Sequence, residues 1–233
     1  MRPLFGGNMG AARFDAVGLA AVFALCLGGL ANAQTSADHW TVDSGETVGA
    51  GATVVRGQAG FPGLWGDIVH GVDPTTDIGA RLQINYGIEG VTDGIGYFEA
   101  GLQFLLRKQF VTTGRCRFAV TFNPGILLLT GFGATDLGIT FPIEAQFGIP
   151  LTSKFTVNAS FGLPMWVEFI SGALSTVSVF YLPILFGTGF EYLLEPNLAL
   201  TLKLRVGPTI AFAEGQSSST FTLNALFGVA YAF

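Results

Sequence analysis

Eight charged side chains recur between mostly apolar neighbours from residue 81 onward. They are Arg81, Glu99, Arg107, Arg117, Glu144, Glu191, Lys203 and Arg205. Charges of both signs on one face of a series of strands could form ion pairs that fill a narrow interior, or could line a pore for a small solute. We favour the filled interior, because small sheet-lined interiors usually pack their centres with side chains.

Few residues favour covalent or acid–base catalysis. The sequence has two histidines, His39 and His70, and two cysteines, Cys26 and Cys116, and their spacing fits neither a catalytic set nor a metal site. His70 lies three residues from Asp67, and a local hydrogen-bonded pair is the simpler interpretation. We therefore predict no catalytic residues, no metal and no cofactor, and a protein that is not an enzyme.

The last fifteen residues indicate how the chain positions its polar side chains. Every second residue faces one way, and these are Phe221, Leu223, Ala225, Phe227, Val229, Tyr231 and Phe233. This alternation is typical of a β-strand with one apolar face and one small, mostly polar face. A strand that ends on Phe233 needs an apolar environment for the terminal ring, and lipid provides one.

This terminal strand resembles the last strand of bacterial outer-membrane β-barrel proteins. The resemblance rests on Tyr231, third from the end, and on the terminal Phe233, with Phe227 and Val229 continuing the apolar face. It implies an outer-membrane location in a Gram-negative-type bacterium and a transmembrane antiparallel up-and-down β-barrel. It also implies that Phe227, Val229, Tyr231 and Phe233 form an assembly signal read by the barrel-assembly machinery.

The first 33 residues predict a cleaved signal peptide. Arg2 and Arg13 accompany an apolar run from Ala16 to Leu30, and Ala31, Asn32 and Ala33 form a small-residue cleavage site. Residues 34–45 are then predicted to be a short periplasmic leader, and residues 46–233 the barrel.

Composition of the remaining chain excludes several classes of protein. Removing 33 of 233 residues leaves 200, and removing two Arg and one Asp from 11 basic and 16 acidic residues leaves a net charge of −6. This charge argues against nucleic acid as a partner. Only Cys116 remains, so a disulfide scaffold is excluded.

Period-two segments follow one another from residue 77 to the C-terminus. Counting back from Phe233 gives eight strands beginning at Ile78, or ten if the glycine-rich residues 46–72 form a hairpin. Both counts are even, as single-chain bacterial barrels require. We predict ten strands, with the first near Val48 to Ala59 and the second near Leu64 to Val72. The alternatives are eight strands, or a glycine-rich segment tucked inside or beneath the barrel.

Aromatic residues are predicted to face outward near the strand ends, where interfacial girdles lie. They are Tyr86, Phe98, Phe110, Trp166, Phe169, Tyr192, Phe212 and Tyr231. The uncharged residues 169–190 are long enough for a transmembrane helix, but their Gly, Pro and β-branched residues favour a strand. Outer-membrane lipid is therefore the expected partner of a monomeric barrel.

Three functions are compatible with this pattern. The first is a structural or lipid-interacting barrel with a largely filled lumen, which we favour. The second is a narrow channel for small solutes or ions. The third, weaker, is a secreted soluble barrel that binds an apolar ligand, which would need its apolar face inward.

Overall fold

The computed structural model describes residues 40–86, 98–113, 116–131, 134–171 and 176–233. The predicted signal peptide (residues 1–33), residues 34–39 of the predicted leader and His39 lie outside these ranges. Within them, no helix has the length and apolar character needed to cross a bilayer.

The described chain forms fourteen β-segments in one antiparallel sheet. They are β1 (Thr53–Phe61), β2 (Gly63–Asp73), β3 (Thr76–Asn85), β4 (Phe98–Thr113), β5 (Cys116–Phe122), β6 (Gly125–Gly131), β7 (Ala134–Thr140), β8 (Ile143–Pro150), β9 (Phe155–Leu163), β10 (Trp166–Ser171), β11 (Thr176–Pro183), β12 (Leu185–Glu195), β13 (Leu198–Ala213) and β14 (Gln216–Ala232).

These segments make a closed barrel of ten strands. Four of the barrel strands consist of two successive segments each, because the two segments lie end to end beside the same neighbouring strand. The pairs are β5 with β6, β7 with β8, β9 with β10 and β11 with β12. β14 pairs with β1 and closes the wall, with Val54 opposite Ala232. The prediction of ten strands is confirmed, and the alternative of eight is wrong.

The first strand begins at Thr53, five residues later than the predicted Val48. The reason lies in Gly49 and Gly51, whose φ angles of 94° and 80° turn the chain before it can pair. The glycine-rich stretch is therefore divided: residues 40–48 lie inside the barrel, residues 51 and 52 hydrogen-bond to Gly71 at the end of β2, and β1 and β2 form the predicted hairpin in the wall.

Strand register determines the width of the interior. A path that starts at Ala230 on β14 and moves to the directly opposed residue on each successive strand returns to β14 at Ser218. The displacement along β14 after one circuit of the barrel is therefore 12 residues. A displacement of this size tilts the strands by about 35–45° and encloses a narrow interior that side chains can largely fill.

Side chains alternate strictly between lipid and lumen. β2 shows this most plainly, with Leu64 and Ile68 exposed and Trp65, Asp67 and Val69 buried. Trp166 departs from its prediction as an outward aromatic, because it is buried and faces the lumen, where its ring stacks on that of Tyr181. Because the number of strands is even, β1 begins and β14 ends on the same side of the membrane, which is the periplasmic side in bacterial barrels. The turn at Glu214 and Gly215, at the other end of β14, is therefore extracellular.

Prolines interrupt the ladder on one side of the wall. The registers above and below the breaks place Pro142 opposite Pro164, and Pro164 opposite Pro183. Proline has no backbone N–H, so it removes ladder hydrogen bonds without shifting the register. Pro124 and Pro208 flank this row, and their carbonyl oxygens still accept hydrogen bonds from Phe104 and Ile184 at 2.8 Å each.

Candidate functional site in the barrel interior

Residues 40–48, here called the plug segment, occupy the periplasmic half of the lumen. Thr41 and Ser44 are fully buried and Asp43 is 3% exposed, although none of these residues belongs to a strand. Trp40 and Val42 pack with Val54 and other apolar residues at the periplasmic end of the wall. The predicted periplasmic leader therefore lies inside the barrel mouth for as much of it as the structure describes.

Wall carboxylates hold the plug backbone. Glu191 accepts hydrogen bonds from the N–H groups of Val42 at 2.8 Å and Asp43 at 2.9 Å. Asp77 accepts from the N–H of Val48 at 3.2 Å. These bonds satisfy donors that the plug, having no strand partner, would otherwise bury unpaired.

Wall cations complete the attachment. Arg107 donates to the carbonyl oxygen of Thr41 at 2.8 Å and is itself held by Asp77, at 2.7 Å from its Nε. Arg117 donates to Glu46 at 2.6 Å. The plug is therefore fixed by charged side chains from several strands of the wall.

An ionic chain crosses the lumen directly above the plug. Arg56 bridges Asp43 and Asp67, and Asp67 also accepts from Arg81 at 2.7 Å. Lys203 lies 2.8 Å from Glu144 and 3.4 Å from Asp43. Mutual pairing allows these charges to be buried in a narrow interior.

Asp43 is the charged centre of the plug. Burial alone raises the pKa of its carboxyl, but the charges of Arg56 and Lys203 lower it more, so the pKa lies well below its usual range. The carboxylate is therefore ionised at neutral pH and ties the plug to two barrel strands.

The middle of the lumen is built around Trp65. The guanidinium groups of Arg81 and Arg205 lie 4.7 Å and 5.4 Å from its ring centroid, at distances typical of cation–π contacts. Its Nε1 donates to Asn85 at 2.9 Å, and Asn85 donates to Glu99 at 2.8 Å. Arg205 and Glu99 are thereby both linked to Trp65, Arg205 over its ring and Glu99 through Asn85.

The extracellular half of the lumen is partly apolar. Leu127, Leu129 and Trp166 form a buried cluster against Tyr181, whose ring lies 4.5 Å from that of Trp166 at an angle of 10°. Beside this cluster, Asp136 and Glu168 are buried carboxylates on adjacent barrel strands. The lumen thus changes from charged at the periplasmic end to mixed at the extracellular end.

Two small cavities remain in the described interior. The larger measures about 30 Å³ and the smaller about 10 Å³, and both are lined by Arg81, Thr121, Asn123 and Glu144 among others. Such volumes admit only a few water molecules. Gln103 Oε1, Asn123 Oδ1, Glu144 Oε1 and Trp166 Nε1 are buried without a protein partner and belong to residues lining the larger cavity, so ordered water suits this space.

All eight charged residues singled out in the sequence point into the lumen. Seven are less than a tenth exposed, and the side chain of Glu144 is 12% exposed. Arg107, Arg117 and Glu191 contact the plug, Glu144 and Lys203 pair with each other, and Arg81 and Arg205 flank Trp65.

Sequence reasoning missed the partners of these residues. Asp43, Arg56, Asp67 and Asp77 carry much of the ionic network, and period-two spacing within β1 and β2 could have identified Arg56 and Asp67. The predicted pairing of His70 with Asp67 is wrong, because the two side chains lie on opposite faces of β2. His70 Nδ1 instead lies 2.9 Å from Thr53 Oγ1.

The fold and interior define a transmembrane β-barrel of the bacterial outer-membrane type. Its outer face is apolar around the wall, its inner face is polar and closed, and every described strand pairs on both sides. The alternative of a secreted soluble barrel is excluded, because its apolar face would have to point inward.

Comparisons with known proteins find similarity in structure and none in sequence. No protein-family model matches the chain, and a search of curated proteins gives no match. Among solved structures it is similar to the outer-membrane protease OmpT from Escherichia coli, with a TM-score of 0.41 and 8% identity over 79% of this chain and 94% of that chain. It is also similar to the KdgM porin (TM-score 0.32, 10% identity, 78% and 99% covered) and to the KdgM porin in complex with disordered oligogalacturonate (0.30, 11%, 78% and 99%).

One sequence-based prediction must be corrected here. The protease in this comparison contradicts the prediction that the chain is not an enzyme, and we withdraw that prediction. That prediction rested mainly on the absence of a histidine-based catalytic set. Carboxylates also serve as acids and bases, and Asp136 and Glu168 are carboxylates buried in the lumen. Similarity at this level concerns the shape of the barrel and assigns neither protein's activity to the chain.

Proposed function

We propose that the protein is a closed, monomeric outer-membrane barrel with a filled lumen, which acts at its lipid-facing surface. The observation that carries this proposal is the plug segment. It fills the periplasmic half of the lumen, and two cavities of about 30 Å³ and 10 Å³ in the described part of the lumen are too small for a solute path.

The outer surface supports a lipid partner. Exposed rings lie near both ends of the wall, including Tyr86 and Phe98 at the extracellular end and Tyr192 and Tyr231 at the periplasmic end. Aromatic residues at these heights anchor a barrel at the two membrane interfaces. Between the two rings of aromatic residues the outer face is apolar, so this surface is suited to contact with lipid acyl chains.

Conductance in a planar bilayer tests the closed lumen. The full-length mature chain, refolded and shown to be a closed barrel by heat-modifiable gel migration, is expected to give no single-channel steps. Discrete steps from the wild-type protein would contradict the proposal. Arg205→Ala, which shortens a lumenal side chain but leaves the plug contacts intact, is expected to stay silent too.

A gated channel is the second candidate, and one observation favours it. The plug is attached through side chains and has no strand pairing, so it can leave without opening the wall. The double variant Asp43→Asn with Glu191→Gln, which weakens the attachment, would then conduct. The matched variant Glu195→Gln, at an exposed position in the same strand, should not conduct. Silence from the double variant in a folded barrel would exclude the gated channel.

A further inference from the structure

A groove on the outer surface is much larger than either lumen cavity. This outer groove is lined by Val167, Ser178, Phe180, Phe212 and residues 213–217, and measures about 390 Å³. Cavities of a few hundred Å³ and above are the size that binds small-molecule ligands. The groove lies beside the turn at Glu214 and Gly215, at the extracellular end of the wall.

The groove combines two chemistries. Its floor is aromatic: the rings of Phe180 and Phe212 lie 6.1 Å apart at 24°, and Phe180 also stacks on Phe141 at 6.3 Å and 12°. Its rim carries the hydroxyl groups of Ser178 and Ser217, the amide of Gln216 and the carboxylate of Glu214. An amphipathic groove of this kind suits a ligand with a hydrocarbon chain below and a polar group above.

The position of the groove limits what can reach it. Val167, Phe180 and Phe212 are on the lipid-facing side of their strands, so the floor borders the bilayer and the rim borders the extracellular interface. A bilayer lipid meets both conditions, because its acyl chain and head group are already at these depths.

Charge selects among lipid head groups. No Lys or Arg lies among the described residues at the extracellular end, which are residues 60–63, Tyr86, Phe98, Gly131, Ser171, Thr176 and residues 213–217. The outward or turn cations that the structure describes, Lys108 and Lys154, belong to the periplasmic end. Glu214 is the charged residue in the groove lining, so an ammonium group is favoured over a bare anionic head.

The backbone of Glu214 is a second, independent observation. Its φ angle is 47°, in the left-handed region that Gly and Asn adopt far more readily, and Gly215 follows at 78°. A two-residue hairpin turn of this shape ordinarily carries Asn-Gly or Gly-Gly. The glutamate therefore places a carboxylate at the groove rim despite an unfavourable conformation, as residues at binding sites do.

We propose that the outer groove binds a bilayer lipid whose head group carries an ammonium group. The acyl chain lies on Phe180 and Phe212, the phosphate accepts hydrogen bonds from Ser217 and Gln216, and the ammonium pairs with Glu214. This inference rests on the proposed lipid-facing function and names the lipid that the surface selects.

Native mass spectrometry of the full-length mature barrel tests the proposal. The protein is released from nanodiscs of equal phosphatidylethanolamine and phosphatidylglycerol, and the retained lipid is identified. Wild type is expected to retain phosphatidylethanolamine over phosphatidylglycerol by about two- to fivefold, the range of a solvent-exposed ion pair. Glu214→Gln is expected to remove this preference while leaving the total retained lipid unchanged.

Filling the groove separates specific binding from general lipid contact. Ser217→Trp is expected to abolish retention, whereas Leu128→Trp, at an exposed lipid-facing position outside the groove, should retain lipid as wild type does. Equal retention by Ser217→Trp and wild type, or a wild-type preference for phosphatidylglycerol, would overturn the inference. Lipid retention is measured independently of conductance, so a conducting wild-type barrel would refute the closed lumen without deciding the groove.

Discussion

Glu191 Oε1 accepts a hydrogen bond of 2.9 Å from the backbone N–H of Asp43, joining the last third of the wall to a segment that precedes the first strand. The same carboxylate holds the N–H of Val42. One wall residue thus fixes two successive peptide groups of the plug. The plug is held by separate side-chain contacts from several strands, and each can be tested alone.

Glu191→Gln should loosen the plug and leave the wall intact. Gln keeps only one of the two oxygens that accept these bonds, and a hydrogen bond is worth about 0.5–1.5 kcal/mol, so amide exchange at Val42 or Asp43 should speed up by about 2- to 10-fold. Hydrogen exchange with mass spectrometry checks this. Glu195→Gln is the matched control, and unchanged exchange in Glu191→Gln would show that the bonds contribute little.

Acid should release the plug through Asp43. The folded pKa of this carboxyl is depressed, so its stabilising contribution is complete above the unfolded value of about 3.9 and is lost as pH falls through the folded value. Protection of the plug from protease should decline as the pH falls below about 4.

Asp43→Asn should remove this acid dependence. It also leaves Arg56 and Lys203 short of a buried partner, and breaking a buried pair costs about 3–5 kcal/mol, so plug protection should be weak at every pH. A variant that keeps the wild-type decline below pH 4 would show that another group titrates.

Tryptophan fluorescence should report the lumen alone. The chain has three tryptophans, and Trp40, Trp65 and Trp166 are all buried on the inner side of the wall. Brominated lipids, which quench rings in contact with acyl chains, should leave the wild-type emission nearly unchanged. Tyr86→Trp, at a site 59% exposed on the outer face, should introduce quenching that the wild type lacks. Strong quenching of the wild type would contradict the inward orientation of Trp166.

Phe233→Ala, which keeps the backbone hydrogen bond to Thr53, should impair assembly in cells more than stability. The Phe233 ring is 77% exposed and touches Tyr231 edge-on at 5.1 Å, so its loss should change refolding in detergent by no more than about 0.5 kcal/mol. We expect less barrel in outer-membrane fractions, since we propose that the assembly machinery reads this residue. Phe221→Ala, exposed on the same strand, should assemble normally.

Glu214→Asn should stabilise the hairpin of β13 and β14. Asn tolerates the left-handed conformation, and relief there is worth up to about 1 kcal/mol. Gly215→Ala, at a φ angle of 78°, should destabilise the same turn. Urea titration of the refolded barrel measures both changes, and a loss of stability in Glu214→Asn would contradict the strained turn.

Period-two alternation predicted the barrel because the inner and outer faces differ chemically along most strands. It worked less well where both faces are apolar. Ile126, Leu127, Leu128 and Leu129 form an unbroken apolar run, and only the sheet register shows that Leu127 and Leu129 join Trp166 inside. Its position near a strand end predicts that Trp166 faces outward, whereas its ring fills space in the extracellular half of the lumen.

The interior required information that no local pattern holds. Asp43 and Lys203 are 160 residues apart, and their proximity follows from the path of the plug through the lumen. The strand predicted from Val48 runs through Gly49 and Gly51, and the sequence does not show that these two residues turn the chain before the wall begins. The identities of the inward charges were therefore predictable, and their partners were not.

Pro164 faces a proline on each side, Pro142 and Pro183, and none of the three has a peptide hydrogen to give. Along this row the wall has fewer hydrogen bonds to resist bending than between β2 and β3, which contain no proline and pair from Gly63 with Asn85 to Gly71 with Asp77. The barrel is therefore mechanically asymmetric, and its wall bends more easily along the proline row than across β2 and β3.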